Sequence, residues 1–139
     1  VTDDRLIAAF ENGGLTHETF RHADHVRVAF LYLCRFPALA ALRRFSRALQ
    51  RLTAAGGKPH LYHETVTWAF VFLIRERMER WLQDTGRPPS WDEFAAANAD
   101  LLCRREHVLQ TYYLDQTLVS ELGRRIFILP DRGLQKLTT

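Results

Sequence analysis

FRHADHVRVAFLYLCRFP, residues 20–37, decides the fold. Val26, Ala29, Leu33 and Phe36 recur at spacings of three and four, the repeat of one α-helical face. Pro37 ends the run, because the residue before a proline is pushed out of the helical region. The same period continues on either side. Upstream, Asp3 to Glu11 reads as a short helix stopped by Asn12, Gly13 and Gly14. Downstream, residues 38–55 give a third helix with Leu39, Leu42, Phe45, Leu49 and Leu52 inward, closed by Gly56 and Gly57. Pro59, a good first helical residue, opens the longest helix, which runs to about Asp84 through Val71, Ile74, Met78 and Trp81. Ser90, Trp91, Asp92 and Glu93 read as a capping box that starts a fifth helix over 91–103. Shorter helices are read from Glu106 to Tyr113 and from Ser120 to Phe127. Two-residue alternation is almost absent, so the fold class is all-α: one compact bundle of about five main helices with short C-terminal ones, residues 1–139 forming a single helical domain.

Composition narrows the partners. With 47% apolar residues among 139, the chain can bury a core. Nineteen Lys and Arg against sixteen Asp and Glu leave a net charge of +3, and the surplus lies in residues 1–70, with nine basic against six acidic. Arg43, Arg44, Arg47 and Arg51 spread along one helix as a solvated face, so no nucleic-acid partner is expected. The longest charge-free apolar run, Thr65 to Ile74, is far short of the roughly 20 residues a spanning helix needs, and no signal peptide is read at the start. A cytoplasmic protein with no membrane partner is expected. Cys34 and Cys103 show no metal or disulfide spacing and read as reduced, core-facing thiols. Trp68, Trp81, Trp91 and the nine Phe residues read as core material.

The sharpest signal is where the six histidines fall. Short connections make consecutive helices antiparallel, so the starts of the second and fourth helices and the end of the fifth share one end of the bundle. His22 and His25 open the second helix, His60 and His63 open the fourth, His107 follows the fifth and His17 precedes the second. All six are expected at that end. His22 and His25 are three apart, which places them on one helical face about 5 to 6 Å apart at Cβ. His60 and His63 have the same spacing, with Thr67 next on the inward stripe.

Two imidazoles from one helix and one from another suit a divalent metal with open positions, so the candidate ligands are His22, His25, His63 and Glu64. The cofactor is then Fe, Zn, Mn or Cu. His63 and Glu64 are about 100° apart on a helix, so one ligates while Glu64 serves as fourth ligand, orienting partner or general base. The catalytic candidates are therefore Glu64 and His63. Thr67, Tyr113 and Arg125 are candidates for binding a small-molecule substrate, an anion among them. Against this stands the plainer reading: a His at a helix start caps backbone N–H groups, tyrosines at a helix end are packing, and Arg124 and Arg125 pair with Glu121 or Asp131. Asp24 reads as a cap, His60 and His107 as reserves, and His17 as a loop residue.

The motifs F-x-H-x-D-H-V-R-x-A at Phe20 to Ala29, Y-H-E-T at Tyr62 to Thr65, and Pro130-Asp131 resemble those of a family of small, uncharacterised bacterial all-helical proteins. The resemblance spans Phe20 to Asp131 and implies architecture and candidate positions without chemistry. Three readings follow from the residues. The first is a metal-dependent enzyme, a hydrolase, lyase or oxygenase, with a mononuclear site at one end of the bundle. The second is a metal-free acid/base enzyme using His63 and Glu64, or His22 and Asp24. The third is a non-enzymatic ligand-binding or interaction module whose histidines are structural.

Overall fold

A computed structural model describes residues 2–12, 20–103 and 108–133. The first helix, α1 (Asp3–Glu11), begins at Thr2, whose hydroxyl accepts the Arg5 N–H, and it buries Leu6, Ile7 and Phe10. Next, α2 (His22–Arg35) opens with the Asp24 carboxylate accepting the Arg21 N–H, as expected of a cap, and ends against Pro37. Two surface ion pairs, Arg27–Asp3 and Arg35–Asp4, and the buried Tyr32 phenol donating to Glu11 tie α1 to α2. The third helix, α3 (Ala38–Ala55), buries Leu42, Phe45, Leu49 and Leu52.

The fourth helix departs from expectation. Pro59 starts only one 3-10 turn, Pro59–Leu61, and the chain is extended at Tyr62 and His63 before α4 (Glu64–Thr85) begins. His63 is the N-cap of α4, its ring accepting the Val66 N–H. His60 and His63 therefore do not share a helical face, and His60 is exposed on the preceding turn. At the other end Gly86 closes α4 with φ +80°, a left-handed conformation that glycine takes without Cβ strain.

The capping box at Ser90 and Glu93 is present, but the fifth helix is two pieces, α5 (Trp91–Ala97) and α6 (Ala99–Cys103). Buried Asn98 breaks it by competing for backbone partners. Its side-chain amide donates to the Phe94 carbonyl while its oxygen accepts from Arg77, which also pairs with Asp100. Two short helices follow, α7 (Asp115–Leu118), not expected from sequence, and α8 (Glu121–Arg125), shorter than the expected span and capped by Ser120. The start of the expected helix over Glu106 to Tyr113 lies outside the described residues.

α2 is the centre of the fold, packed against α1, α3, α4 and α6, and one apolar core joins them through Val28, Phe30, Phe45, Ile74, Phe94 and Leu101. Among the described residues there is no strand, and no helix is long and apolar enough to cross a membrane. After α8 the chain lies along α4. The Thr65 hydroxyl donates to the Ile126 carbonyl and accepts the Ile128 N–H, and Phe127 stacks on Trp68 at 5.4 Å. Asp131 accepts the Leu114 N–H and the Thr117 hydroxyl, capping α7 from a distance.

Several burial expectations are corrected. Leu39, 74% exposed, sits in the first turn of α3, where the chain has just left α2 and no described residue covers it. Cys34 and Cys103 are exposed thiols instead of core ones, one helical step off the buried stripe through Leu31 and Tyr32 in the first case. Phe72 is 39% exposed, and the three tryptophans are half-buried.

Candidate functional site

A cavity of about 190 Å³ lies between α2, α3 and α4 at the end expected for the histidines. His22, His25 and His63 all line it, together with Thr67. The starts of α2 and α4 and the last turns of α3 (Leu49, Leu52 and Thr53) thus meet at one end. The end of α6 joins them, because His22 Nε2 lies 2.7 Å from the Leu101 carbonyl. This is the convergence that alternating helix direction implies. The floor is apolar: Val26, Ala29, Phe70 and Ile74 are buried, while His22, His25 and Leu61 are half-buried at the rim.

The rings differ in what they offer. His63 Nδ1 is 3.1 Å from the Val66 N–H, and Nε2 is 2.7 Å from the Leu118 carbonyl, with the residue 4% exposed. Accepting at one nitrogen and donating at the other assigns the neutral ring with its proton on Nε2. Both nitrogens are thereby engaged by backbone, the plain capping role weighed for a histidine at a helix start. His22 donates through Nε2 to Leu101 and sets its ring edge-on to Phe70 at 5.1 Å. His25 packs among aromatic rings, 4.5 Å from Phe20, 6.4 Å from Phe10 and 6.5 Å from Phe45. Among the described residues, no group of three or more His, Cys, Asp and Glu side chains is arranged to hold a metal ion.

The remaining candidates lie elsewhere. Glu64 is adjacent to His63 in sequence but turns to another partner, its carboxylate accepting the Tyr62 phenol at 2.6 Å. Burial and that carboxylate push the Tyr62 phenol up, so it stays a donor. Among the described residues His63 and Glu64 thus have separate hydrogen-bond partners, backbone groups for the ring and the Tyr62 phenol for the carboxylate. Tyr113 is buried and donates to the Ile128 carbonyl at 2.7 Å; burial, with Asp131 nearby, pushes its phenol up to about 12. It belongs to the packing of the C-terminal segment, away from the cavity. Arg125 is exposed at the end of α8 and does not line the cavity. Neither arginine pairs with Asp131, whose carboxylate is taken up at α7, and Arg124 instead donates to the His60 carbonyl at 2.7 Å. His17 and His107 lie outside the described residues.

Thr53 and Leu61 line the cavity although the sequence reading gives them no role, and Phe45 and Phe70, read there only as core, line it too. Thr53 could have been found, since it sits four residues after Leu49 on the inward face of α3. The carbonyls of Leu101 and Leu118 that hold two of the rings have no sequence signal at all.

Compared with known proteins, the chain matches no family model, no curated protein and no solved structure.

Proposed function

We propose that this chain binds a small organic molecule in the histidine-walled cavity at the end of the bundle. The observation that carries this reading is the convergence of three histidines and two threonines on one otherwise apolar space of about 190 Å³. An apolar cavity of about 150 Å³ is enough to take up benzene, so a molecule of roughly one ring fits here. Apolar walls with a few placed polar groups are the usual composition of a small-molecule site. Two of the three histidines are held by backbone carbonyls, which supports a wall that is set before the ligand arrives. The test is a titration with toluene followed by amide NMR. Saturable shifts at Val26, Ala29, Val66 and Phe70 are expected, and they should vanish in the cavity-filling Ala29→Leu variant. The absence of saturable shifts up to the solubility limit overturns the reading.

A metal-dependent enzyme is the second reading, favoured by one specific observation. His22 and His25 line the same cavity, and the Leu101 carbonyl holds Nε2 of His22 in the way an outer partner orients a ligating imidazole. Fe, Zn, Mn or Cu at these two rings would bring hydrolytic, lyase or oxygenase chemistry to the cavity rim. Metal analysis of untagged protein tests it. Stoichiometric metal lost in His22→Ala supports it, whereas trace metal with none taken up on reconstitution overturns it.

A further inference from the structure

The hydrogen-bonding state of the cavity wall says which chemistry its occupant carries. Among the described residues that line the cavity, none is an acid, a lysine or an arginine. The His63 ring accepts a backbone N–H, which only a neutral imidazole can do. Among these described lining residues a charged ligand would meet no carboxylate, ammonium or guanidinium group, and burial makes its desolvation costly.

The threonines narrow the choice. Three of them lie in this part of the fold, each about 5% exposed or less. Thr53 donates to the Leu49 and Gln50 carbonyls at 3.2 and 3.0 Å. Thr65 donates to the Ile126 carbonyl and accepts the Ile128 N–H. Thr67 lines the cavity at 5% exposure, and its hydroxyl makes no hydrogen bond among the described residues. Buried threonines in helices ordinarily turn back to the carbonyl four residues earlier. For Thr67 that carbonyl belongs to His63, and among the described residues it accepts the Thr67 backbone N–H, at 3.0 Å. Thr67 Oγ1 keeps accessible area beside the cavity, so a polar group of an occupant can reach it and bond it.

Resting on the cavity-binding reading above, we infer that the occupant is an uncharged single-ring molecule bearing a hydroxyl, of the phenol class. Its ring lies among Phe45, Phe70 and Leu49, and its hydroxyl bonds Thr67 Oγ1. The volume of about 190 Å³ leaves room for one small substituent beyond the ring.

The experiment titrates phenol, benzoate and toluene into the full chain at a pH of about 8, where phenol is neutral and benzoate is ionised. Phenol should bind more tightly than toluene, with no benzoate binding. Thr67→Val should weaken phenol about fivefold, the effect of one hydrogen bond, and leave toluene unchanged. Thr67→Ser, which keeps the hydroxyl, should keep the preference for phenol. An unchanged phenol-to-toluene ratio in Thr67→Val overturns the inference, as does benzoate binding as tightly as phenol. Toluene binding in each variant reports that the cavity is intact. If none of the three compounds binds the parent protein, the cavity-binding reading fails along with the inference.

Discussion

Replacing His63 by alanine tests how the cavity wall is held. The ring has three places to fill: it caps α4 through the Val66 N–H, donates to the Leu118 carbonyl, and lines the cavity. Loss of an N-cap costs about 1 kcal/mol. Leaving a buried carbonyl without its donor costs about 1 to 3 kcal/mol more, so His63→Ala should lose about 2 to 4 kcal/mol in total. His63→Asn supplies a good capping acceptor without reaching Leu118, and should recover about 1 kcal/mol. Urea unfolding gives both values from the midpoint at constant slope. Hydrogen exchange adds a local readout, because the Val66 amide should lose protection in the alanine variant and regain it with asparagine. An alanine variant within about 0.5 kcal/mol of the parent, the range of ordinary surface substitutions, would refute this account of His63.

Three further outcomes follow from particular contacts. Gly123→Ala should destabilise by about 1 to 3 kcal/mol, where a glycine inside an ordinary helix gains from the change. The reason is that a Cβ there would meet the Thr117 carbonyl at 2.7 Å, with His63 Cε1 behind it at 3.5 Å, and thermal unfolding measures the sign. The Glu93 carboxyl, held down to about 2 by Arg87 and the Ser90 N–H, should titrate there by NMR and move toward 4.5 in Arg87→Ala. Because its folded value lies below its unfolded one, its stabilisation of the α5 start is complete above 4.5 and fades as pH falls to about 2. Asp131→Ala removes the acceptor for the Leu114 N–H and the Thr117 hydroxyl, and should cost about 1 to 3 kcal/mol with α7 losing amide protection first.

Much of the bundle is legible in the sequence because local signals agree with the tertiary arrangement. Asn12 stops α1, Pro37 separates α2 from α3, and Ser90 with Glu93 marks the start of α5. The meeting of His22, His25 and His63 follows from alternating helix direction once those breaks are placed. The misreadings have physical causes. Pro59 is as good an opening for a 3-10 turn as for an α-helix, so nothing local shows that α4 waits for a histidine cap at residue 63. Asn98 breaks the fifth helix because Arg77, distant in sequence, draws its side-chain oxygen. The ties from Thr65 and Asp131 to the C-terminal segment are side-chain to backbone bonds with no period to detect. For the site, residue type alone pointed to Glu64, Tyr113 and Arg125, and each is claimed by a partner or a surface position away from the cavity. Thr67 was legible from its place one turn into α4, in line with His63.

The central claim is that the end of the bundle encloses a space that a small molecule enters. A crystal structure under xenon pressure tests it most directly, since xenon enters apolar cavities of this size. The account predicts a xenon atom between Val26, Phe70 and Ile74, within contact of the Phe45 ring. A pressurised crystal with no xenon there, and those side chains packed against one another, would contradict it.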